Sequence, residues 1–525
     1  MKRIYYGGTI LTMKKELYTE ALLEEDGIIR HTGGYEELKI QEPEAETVNL
    51  EGNTLMPAFL DSHSHFSGVA TGLLQVSLEE AECWQDICDA IKKFAEERRI
   101  PKGQWIMAKG YDHNHLKEGR HPSAGLLDRV FPDNPVVLQH QSGHMGVFNS
   151  RGLERLGITE DTKAPQGGVI EIRDGKLTGY LEENAFTKYL RWVPMPEPED
   201  LMKAFSDAQT KYASFGITTV QEGMMTRELI PLYQMMRQKK ILKLDVNGYS
   251  EVTSVDEWCD AFPGAVMRYD GHFRIGGLKI FLDGSPQGRT AWMREPYQGE
   301  DSYCGYGTMK DSEVRSAAAM AAERGMQLLA HCNGDAAAAQ YLRALAAQEK
   351  ETPEFRESRP VMIHAQLLGT DQLEEVRRLG VTPSFFVAHV YHWGDVHIRN
   401  FGMERAGAIS PAGSAAAEGI RFTFHQDAPV LEPDMLETVW CAVNRRTRAG
   451  VTLGGNEKVT VLEALKAVTV NAAWQYFEED SKGSLAAGKR ADYVILDQNP
   501  LGTDGEKLRE IRVLATLKDG IAIYM

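Results

Sequence analysis

The sequence predicts an α/β protein: a (β/α)8 TIM-like barrel with a composite β-sandwich domain from both termini and an inserted cap. Three observations lead to this prediction. From residue 200 onward, short β-type runs alternate with helical runs, and repeated βα units favour a barrel. Both ends of the chain are instead rich in short β-type runs and turns. Residues 101–190 fit neither pattern and are interpreted as an insertion that caps one barrel face.

The two ends of the chain are predicted to share one domain. Residues 1–56 hold runs such as RIYYGGTILTM, and residues 476–525 hold KGSLAAGKRADYVILD and IRVLATLKDGIAIYM. Chain ends of a domain often lie close together. The expected organisation is therefore a β-sandwich from 1–56 and 476–525, and a barrel over 57–475.

Eight segments are candidates for the barrel strands. In chain order they are 55–66, 217–224, 242–250, 273–284, 327–334, 360–366, 381–390 and 421–430. Helix candidates lie between several of them, including 311–325 and 370–380. Within the insertion, GGVIEIRDGKLTGYLEE predicts a hairpin that turns at Asp174-Gly175.

Composition excludes some classes of partner. The chain has 525 residues and a formal net charge of −17, without the basic stripe of a nucleic-acid binder. Its six cysteines form no CxxC pair, and neither a signal peptide nor a membrane-spanning run is found. A cytoplasmic protein with a small-molecule substrate, and with neither nucleic acid nor membrane as partner, is expected. The sequence does not decide whether the protein forms a homodimer.

His63 and His65, in FLDSHSHF, stand at the end of the first strand candidate. Residues two apart in a strand point the same way, so both imidazoles face one side. Imidazole is a common ligand of zinc, iron and nickel. Surface histidines show such a spacing too, so this pair alone does not identify a metal site.

The same arrangement recurs at three further strand candidates. His331 ends QLLAHCNG, His364 ends PVMIHAQ, and Asp427 ends RFTFHQD. The carboxyl ends of barrel strands meet at one face, where active sites are built. The set as a whole therefore predicts a metal site.

Lys279 lies within the apolar strand candidate GGLKIFLDG, where burial of its charge would be costly. One interpretation is an ion pair with Asp283, which shares its face. The other is addition of CO2 to the neutral amine, giving a carbamate whose oxygens could bridge two metal ions. The sequence leaves both open.

The order His63-x-His65, Lys279, His331, His364, Asp427 resembles the metal-dependent amidohydrolase superfamily. The phrases LMPAFLDSHSH, GHMGVFNSRGL, FGITTVQEGM, LKIFLDGS, HCNGDAA and QDAPV make the chain similar to its amidohydrolase 3 family, typified by N-substituted formamide deformylases. The resemblance implies a site with one or two divalent ions, zinc being expected. His63 and His65 would bind one ion with Asp427 nearby. His331 and His364 would bind the second, with Lys279 bridging as a CO2-derived carbamate.

The expected function is hydrolysis of a C–N bond (amide, N-substituted formamide or similar) through a metal-activated hydroxide. Asp427 would accept the proton of the water and pass it to the leaving amine. The alternatives are an isomerase or lyase, an esterase or lactonase on the same barrel, and a binding protein of this fold without catalysis.

Four further residues are candidates for substrate binding. His144 lies in the insertion, where the resemblance places it near the substrate. His389 and His392, in FFVAHVYHWGD, are assigned to the end of the seventh strand. Arg289 could pair with an acidic group of the substrate, and a structural salt bridge is the alternative.

Overall fold

The structure, a computed structural model, describes residues 1–113, 115–141, 145–165, 168–194 and 196–525. The chain divides into two compact units. The first comprises Met1–Gly68 and Ala208–Met525, and the second comprises Val69–Asp207. The predicted insertion at 101–190 lies within the second unit.

The strands are β1 Lys2–Tyr6, β2 Thr9–Leu11, β3 Tyr18–Thr19, β4 Ala21–Glu25, β5 Ile28–Gly33, β6 Glu46–Asn49, β7 Thr54–Pro57, β8 Phe59–Leu60, β9 Val76–Ser77, β10 Ile106–Tyr111, β11 Val136–His140, β12 Met145–Phe148, β13 Gly168–Arg173, β14 Lys176–Glu183, β15 Ile217–Met225, β16 Asp245–Glu251, β17 Phe273–Phe281, β18 Gln327–Cys332, β19 Val361–His364, β20 Thr382–Phe385, β21 Thr423–Phe424, β22 Tyr493–Leu496, β23 Val513–Lys518 and β24 Ile521–Tyr524.

The α-helices are α1 Tyr35–Gln41, α2 Phe66–Gly72, α3 Trp84–Glu97, α4 Ala124–Val130, α5 Ser150–Arg155, α6 Asn184–Leu190, α7 Pro198–Ser214, α8 Ile230–Lys239, α9 Val255–Ala261, α10 Asp311–Arg324, α11 Asp335–Glu351, α12 Leu373–Arg378, α13 His389–Gly407, α14 Ala412–Ala417, α15 Met435–Asn444, α16 Val461–Ala467 and α17 Val470–Gln475. Short 3-10 helices cover Arg227–Leu229, Pro263–Ala265, Pro353–Ser358, Thr370–Gln372, Gly455–Glu457 and Gly505–Glu510.

The centre of the first unit is an eight-stranded sheet with the order β8, β15, β16, β17, β18, β19, β20, β21. All neighbouring strands run parallel. Strands β16 and β17 are buried along nearly their whole length, as expected for a parallel sheet covered on both faces. The fold is therefore mixed α/β, and the carboxyl ends of all eight strands lie along one edge.

Each strand candidate overlaps an observed strand of this sheet; several observed strands are shorter than predicted, and β15 and β16 each end one residue later than predicted. Strand β21 covers only Thr423–Phe424 of the candidate 421–430. The assignment of His389 and His392 to the end of the seventh strand is wrong, because β20 ends at Phe385 and His389 begins α13. Ala388 already has helical angles, φ −63° and ψ −15°, so the chain turns into the helix before either histidine.

Two further sheets of the first unit are built from the ends of the chain. The six-stranded sheet has the order β3, β2, β7, β22, β23, β24 and therefore combines strands from both ends. The four-stranded sheet has the order β5, β4, β1, β6. Tyr5 and Leu22 of the smaller sheet share one buried cluster with Leu55 and Tyr493 of the larger. Their apolar faces are therefore buried together.

Local sequence signals explain where several helices of the first unit begin and end. The carboxylate of Asp434 accepts hydrogen bonds from the backbone N–H groups of Leu436 and Glu437, at 2.9 Å each, and so caps α15. Gly325, with φ 61°, ends α10 in the left-handed conformation that glycine adopts at low cost. Among the described residues, no helix is both long and apolar enough to cross a membrane.

The second unit is built on a six-stranded sheet with the order β9, β10, β11, β12, β14, β13. Strands β9 to β11 run parallel and the remaining neighbours are antiparallel. Ile106 and Ala108 of β10 pack into one core, and Met107 packs into the core on the opposite face. The predicted hairpin is confirmed, with positive φ at Asp174 (52°) and Gly175 (74°) in its two-residue turn.

Candidate metal centre

The predicted metal ligands lie at the carboxyl ends of five strands of the eight-stranded sheet. His63 and His65 follow β8, Lys279 lies in β17, His331 lies in β18, His364 ends β19, and Asp427 follows β21. Two of these positions have left-handed backbone, His364 with φ 71° and Asp427 with φ 53°. For residues other than glycine this conformation costs about 1 kcal/mol or more, and such strain concentrates at functional sites.

His63, His65 and Asp427 form a compact group, called here the sheet cluster. Oδ1 of Asp427 is 3.2 Å from Nε2 of His63 and 3.4 Å from Nε2 of His65. All three ligand-type atoms lie within 4.8 Å of one another. A tetrahedral zinc ion with bonds of about 2.1 Å separates its ligand atoms by about 3.4 Å. The spacing of the sheet cluster therefore suits a divalent transition-metal ion.

Gln221 determines which nitrogen of His63 faces this group. Its Nε2 donates hydrogen bonds to the backbone oxygen of Ser62, at 2.8 Å, and to the hydroxyl of Tyr476, at 3.1 Å. Oε1 of Gln221 therefore accepts from Nδ1 of His63, at 2.5 Å, and Nε2 of His63 carries the lone pair. Burial, assisted by Lys279, lowers the pKa of His63 to about 3, so the imidazole is neutral at pH 7.

The carboxylate of Asp427 completes the group. Burial acts to raise the pKa of Asp427, but opposing effects, the largest being the attraction of its carboxylate to His364, outweigh burial and hold that pKa well below its usual value. Oδ1 is buried and has no hydrogen-bond partner among the described residues. An ionised oxygen that faces the lone pair of His63 is unfavourable unless a cation lies between them. The donor set therefore fits a divalent cation.

A chain of four hydrogen bonds fixes the tautomer of His364. The Ser62 hydroxyl donates to the backbone oxygen of Phe424 (2.9 Å), so it must accept from the Ser384 hydroxyl (3.1 Å). Ser384 in turn accepts from Nδ1 of His425 at 3.0 Å. Nε2 of His425 is then an acceptor, and Nδ1 of His364 donates to it at 3.1 Å. Nε2 of His364 is left with its lone pair, 3.9 Å from Oδ2 of Asp427.

His331 lies beside His364, with ring centroids 4.6 Å apart. Its Nδ1 faces Oδ1 of Asp283 at 3.4 Å. The Asp283 carboxylate is held in place by the backbone N–H groups of Asn333 (2.9 Å) and Gly334 (2.7 Å), which donate to it. The rigid carboxylate thus limits how the His331 ring can turn.

Lys279 is 2% exposed, and its Nζ lies 3.5 Å from Nε2 of His63. The predicted ion pair between Lys279 and Asp283 is wrong. Backbone N–H groups hold the carboxylate of Asp283 beside His331. Burial lowers the pKa of Lys279 to about 7, although Asp427 acts to raise it. A substantial neutral fraction is therefore present at pH 7, and neutral amine is the form that reacts with CO2.

The candidate substrate-binding histidines already have partners. His389 is buried, and its Nδ1 lies 3.1 Å from Nε2 of His397. His392 accepts a hydrogen bond from Arg448 at 3.1 Å through Nδ1, and its Nε2 lies 3.5 Å from Glu437.

Arg289 forms an ion pair with Glu300, with Nη2 and Oε1 2.9 Å apart. This contact corresponds to the structural salt bridge that the sequence left open. His144 lies outside the described residues.

Gln221 and Ser384 carried no predicted role, yet Gln221 contacts His63, and Ser384 contacts His425, which in turn contacts His364. Their partners are 41 to 158 positions away in the chain. A polar side chain at the end of an apolar strand is the one signal that they share. Gln221 lies in ITTVQEGM and Ser384 in VTPSFF, so that signal was present in the sequence.

Comparison with known proteins adds independent findings. The profile described as "Amidohydrolase family" matches residues 46–524. The chain is 31% identical to YtcJ of Bacillus subtilis (strain 168), whose amidohydrolase designation is itself provisional, over 100% of this chain and 99% of that protein. It is 29% identical to the N-substituted formamide deformylase of Arthrobacter pascens, over 96% of this chain and 95% of that enzyme.

Among solved structures, the chain is similar to an uncharacterized metal-dependent hydrolase from Pyrococcus horikoshii OT3. The TM-score is 0.79 and the sequence identity 25%, over 96% of this chain and 99% of that one. The similarity thus extends over nearly the full length of both chains.

Proposed function

The chain belongs to the amidohydrolase family, and from that premise we propose that it is a metal-dependent hydrolase of a C–N bond in a small amide, N-substituted formamide or similar compound. The observation that carries the proposal is the sheet cluster, where the imidazole of His63, with its lone pair oriented, meets the buried carboxylate of Asp427. The similar enzyme from Arthrobacter pascens, named for its action on N-substituted formamides, supports the substrate class.

In this proposal the sheet cluster would hold one divalent ion, with zinc as the expected metal. His331 and His364 would hold a second, with Lys279, as a carbamate, shared between the two. A bound divalent ion would lower the pKa of its water to about 7 and polarise a carbonyl oxygen. Support for the second position comes from the lone pair that the Ser62–His425 hydrogen-bond chain directs to Nε2 of His364.

Asp427 is the proposed proton carrier. Its pKa lies well below the usual value, so it is ionised at neutral pH and accepts a proton from the attacking water. The oxygen of that water bonds to the carbonyl carbon, the C–N bond breaks, and the proton passes to the leaving nitrogen. The products are a carboxylate, formate in the case of a formamide, and an amine.

We propose that the eight-stranded sheet closes into a barrel and that both chain ends form one β-sandwich domain. For closure, support comes from the hydrogen bond of Ser62, just after β8, to Phe424 in β21, which joins the two edge strands of the sheet. For the β-sandwich, support comes from the sheet that unites β7 with β22.

His389, His392, Arg289 and His144 are the proposed substrate contacts. His389 has the best structural support, because its ring lies 4.6 Å from Phe386, whose ring lies 5.2 Å from His425. For Arg289 and His392, binding would require their present ion pair and hydrogen bond to open.

The test is turnover of matched substrates with and without metal. N-substituted formamides, other amides and the corresponding esters are incubated with the full-length protein, and formate, carboxylate and amine are quantified. Chelation should abolish release of the amine, and zinc, manganese or cobalt should restore it. Full turnover after verified metal removal would exclude the proposal, and a product that keeps every atom of the substrate would favour an isomerase or lyase.

A further inference from the structure

A second group of histidine and aspartate side chains lies within the second unit. Asp112 and His113 directly follow β10, and His140 is the last residue of β11. The two strands run parallel with Tyr111 opposite His140, so their carboxyl ends are adjacent. Gly110, with φ 93°, lies at a register shift of β10, and such a bulge redirects the side chains that follow. Asp112, His113 and His140 are called here the Asp112 cluster.

The three ligand-type atoms of the Asp112 cluster form a nearly equilateral triangle. Nδ1 of His113 is 3.2 Å from Nε2 of His140, and Oδ1 of Asp112 is 3.4 Å from the latter and 3.7 Å from the former. A tetrahedral zinc ion with bonds of about 2.1 Å separates its ligands by about 3.4 Å. A point at bonding distance from all three atoms therefore exists without movement of any side chain.

Two imidazole nitrogens and one carboxylate oxygen are the atom types that bind a divalent transition-metal ion, and such an ion would interact favourably with all three at once.

The side chain of His140 is 8% exposed, while those of Asp112 and His113 are 19% and 28% exposed. The open side of the cluster can admit a water molecule as a fourth ligand.

We propose that the Asp112 cluster is a second, separate binding site for a divalent transition-metal ion, with zinc as the best match. Two imidazoles and one carboxylate suit zinc, cobalt or nickel, whereas calcium and magnesium prefer oxygen ligands alone. The ion would link the carboxyl ends of β10 and β11. None of the residues of the Asp112 cluster belongs to the sheet cluster, and this proposal does not rest on the proposed function.

The first test is the number of zinc ions bound by the full-length protein. The metal-free protein is titrated with zinc in competition with a chromophoric chelator. His113→Ala is the main variant because His113 is partly exposed, and Asp112→Asn keeps the size of the side chain. His31→Ala, at an exposed histidine of β5 in the first unit, is the control. A double variant, His63→Ala with His65→Ala, removes two of the three ligands of the sheet cluster.

The wild type and His31→Ala should each bind one equivalent of zinc more than His113→Ala. Asp112→Asn should lower the affinity for this additional zinc ion at least tenfold. The double variant His63→Ala with His65→Ala should still bind it. If the wild type and His113→Ala bind the same number of zinc ions, the proposal is overturned, and the Asp112 cluster is a hydrogen-bonded group that binds no metal. Because no activity is measured, failure here is distinct from failure of the proposed function.

Hydrogen exchange provides a second measurement. Zinc should slow amide exchange in peptides that cover 106–113 and 136–141 of the wild type, because the ion joins their strand ends. The same peptides of His113→Ala should not respond to zinc. Exchange that responds equally in both proteins would contradict the proposed position of the ion.

Discussion

The sheet cluster and the Asp112 cluster have the same spacing of ligand-type atoms but are held differently. In both, two of the distances between ligand-type atoms are 3.2 Å and 3.4 Å. Each cluster has one buried imidazole, His63 or His140, and one that is partly exposed. In the sheet cluster, Gln221 also fixes the tautomer of His63. Parallel strands can thus bring ligand-type atoms together at their carboxyl ends in either unit, and the fixed tautomer suits the sheet cluster to chemistry.

The buried partners of the imidazoles matter because a metal ligand must present a lone pair in one direction. Gln221 does this for His63, and the chain from Phe424 through Ser62, Ser384 and His425 does it for His364. Loss of such partners typically lowers metal affinity by about 10- to 100-fold.

The largest effect is expected for Asp427→Asn. The amide keeps the size of the carboxylate but removes both its charge and its ability to carry a proton, so kcat/KM should fall by about 10³-fold or more. Steady-state turnover of the best formamide or amide substrate measures this. Asp133→Asn, at an exposed aspartate of the second unit, is the control and should stay within about twofold of wild type. Activity of Asp427→Asn near that of the control would exclude Asp427 as the proton carrier.

Replacement of His425 tests the hydrogen-bond chain. His425→Phe leaves Nδ1–H of His364 without its acceptor, and zinc affinity at the eight-stranded sheet should fall by about 10- to 100-fold. His425→Gln, which can offer an amide oxygen to His364, should retain more affinity. Competition titration with a chelator measures both. Equal affinity in the two variants would show that the chain does not control the tautomer of His364.

The pH dependence of CO2 addition tests Lys279. Burial lowers its pKa from 10.5 to about 7, so the neutral amine should increase between pH 6 and pH 8, well below the range of an exposed lysine. The initial rate of carbamate formation at fixed dissolved CO2 should rise by about tenfold over this interval, in proportion to the neutral fraction. Carbon-13 NMR of protein treated with labelled bicarbonate provides the readout, and Lys279→Met is the control. A rate that rises only above pH 9 would contradict the burial argument.

The smallest effect is expected for Tyr111→Phe in the second unit. The variant removes the hydroxyl that lies 3.1 Å from Nδ1 of His121, a histidine outside the Asp112 cluster. Zinc affinity of that cluster should change by less than about twofold, in contrast to the loss expected for His425→Phe. The same chelator competition measures it. A tenfold loss would show that His121 also orients the ligands of the Asp112 cluster.

The prediction of strands from sequence succeeded where apolar runs were long and failed at their ends. The candidate 273–284 contains β17, but 381–390 ran past Phe385 into helix α13. A run of apolar residues has the same composition in a buried strand and at the start of a buried helix. His389 and His392 were therefore placed on the wrong element.

For the site, the sequence indicated which polar residues end the strands but not which partners hold them. Asp283 was considered as a partner of Lys279, yet it faces His331, because the backbone around Asn333 and Gly334 holds its carboxylate. Gln221 and Ser384 have no spacing signal, since their contacts join distant segments of the chain. The Asp112 cluster was missed because the insertion was not predicted to contain parallel strands, and the parallel pair β10 and β11 is what brings Asp112 and His113 next to His140.

The sequence by itself determined the alternation of strands and helices, and with it the edge at which His63, His65, His331, His364 and Asp427 were expected. These follow from local periodicity and from the rule that parallel strands share one carboxyl edge. The tertiary structure alone decided which lone pairs face one another, which carboxylate lies beside which imidazole, and that a second triangle of ligands exists in the other unit. Those features depend on hydrogen bonds and burial between segments far apart in the chain, and no local pattern encodes them.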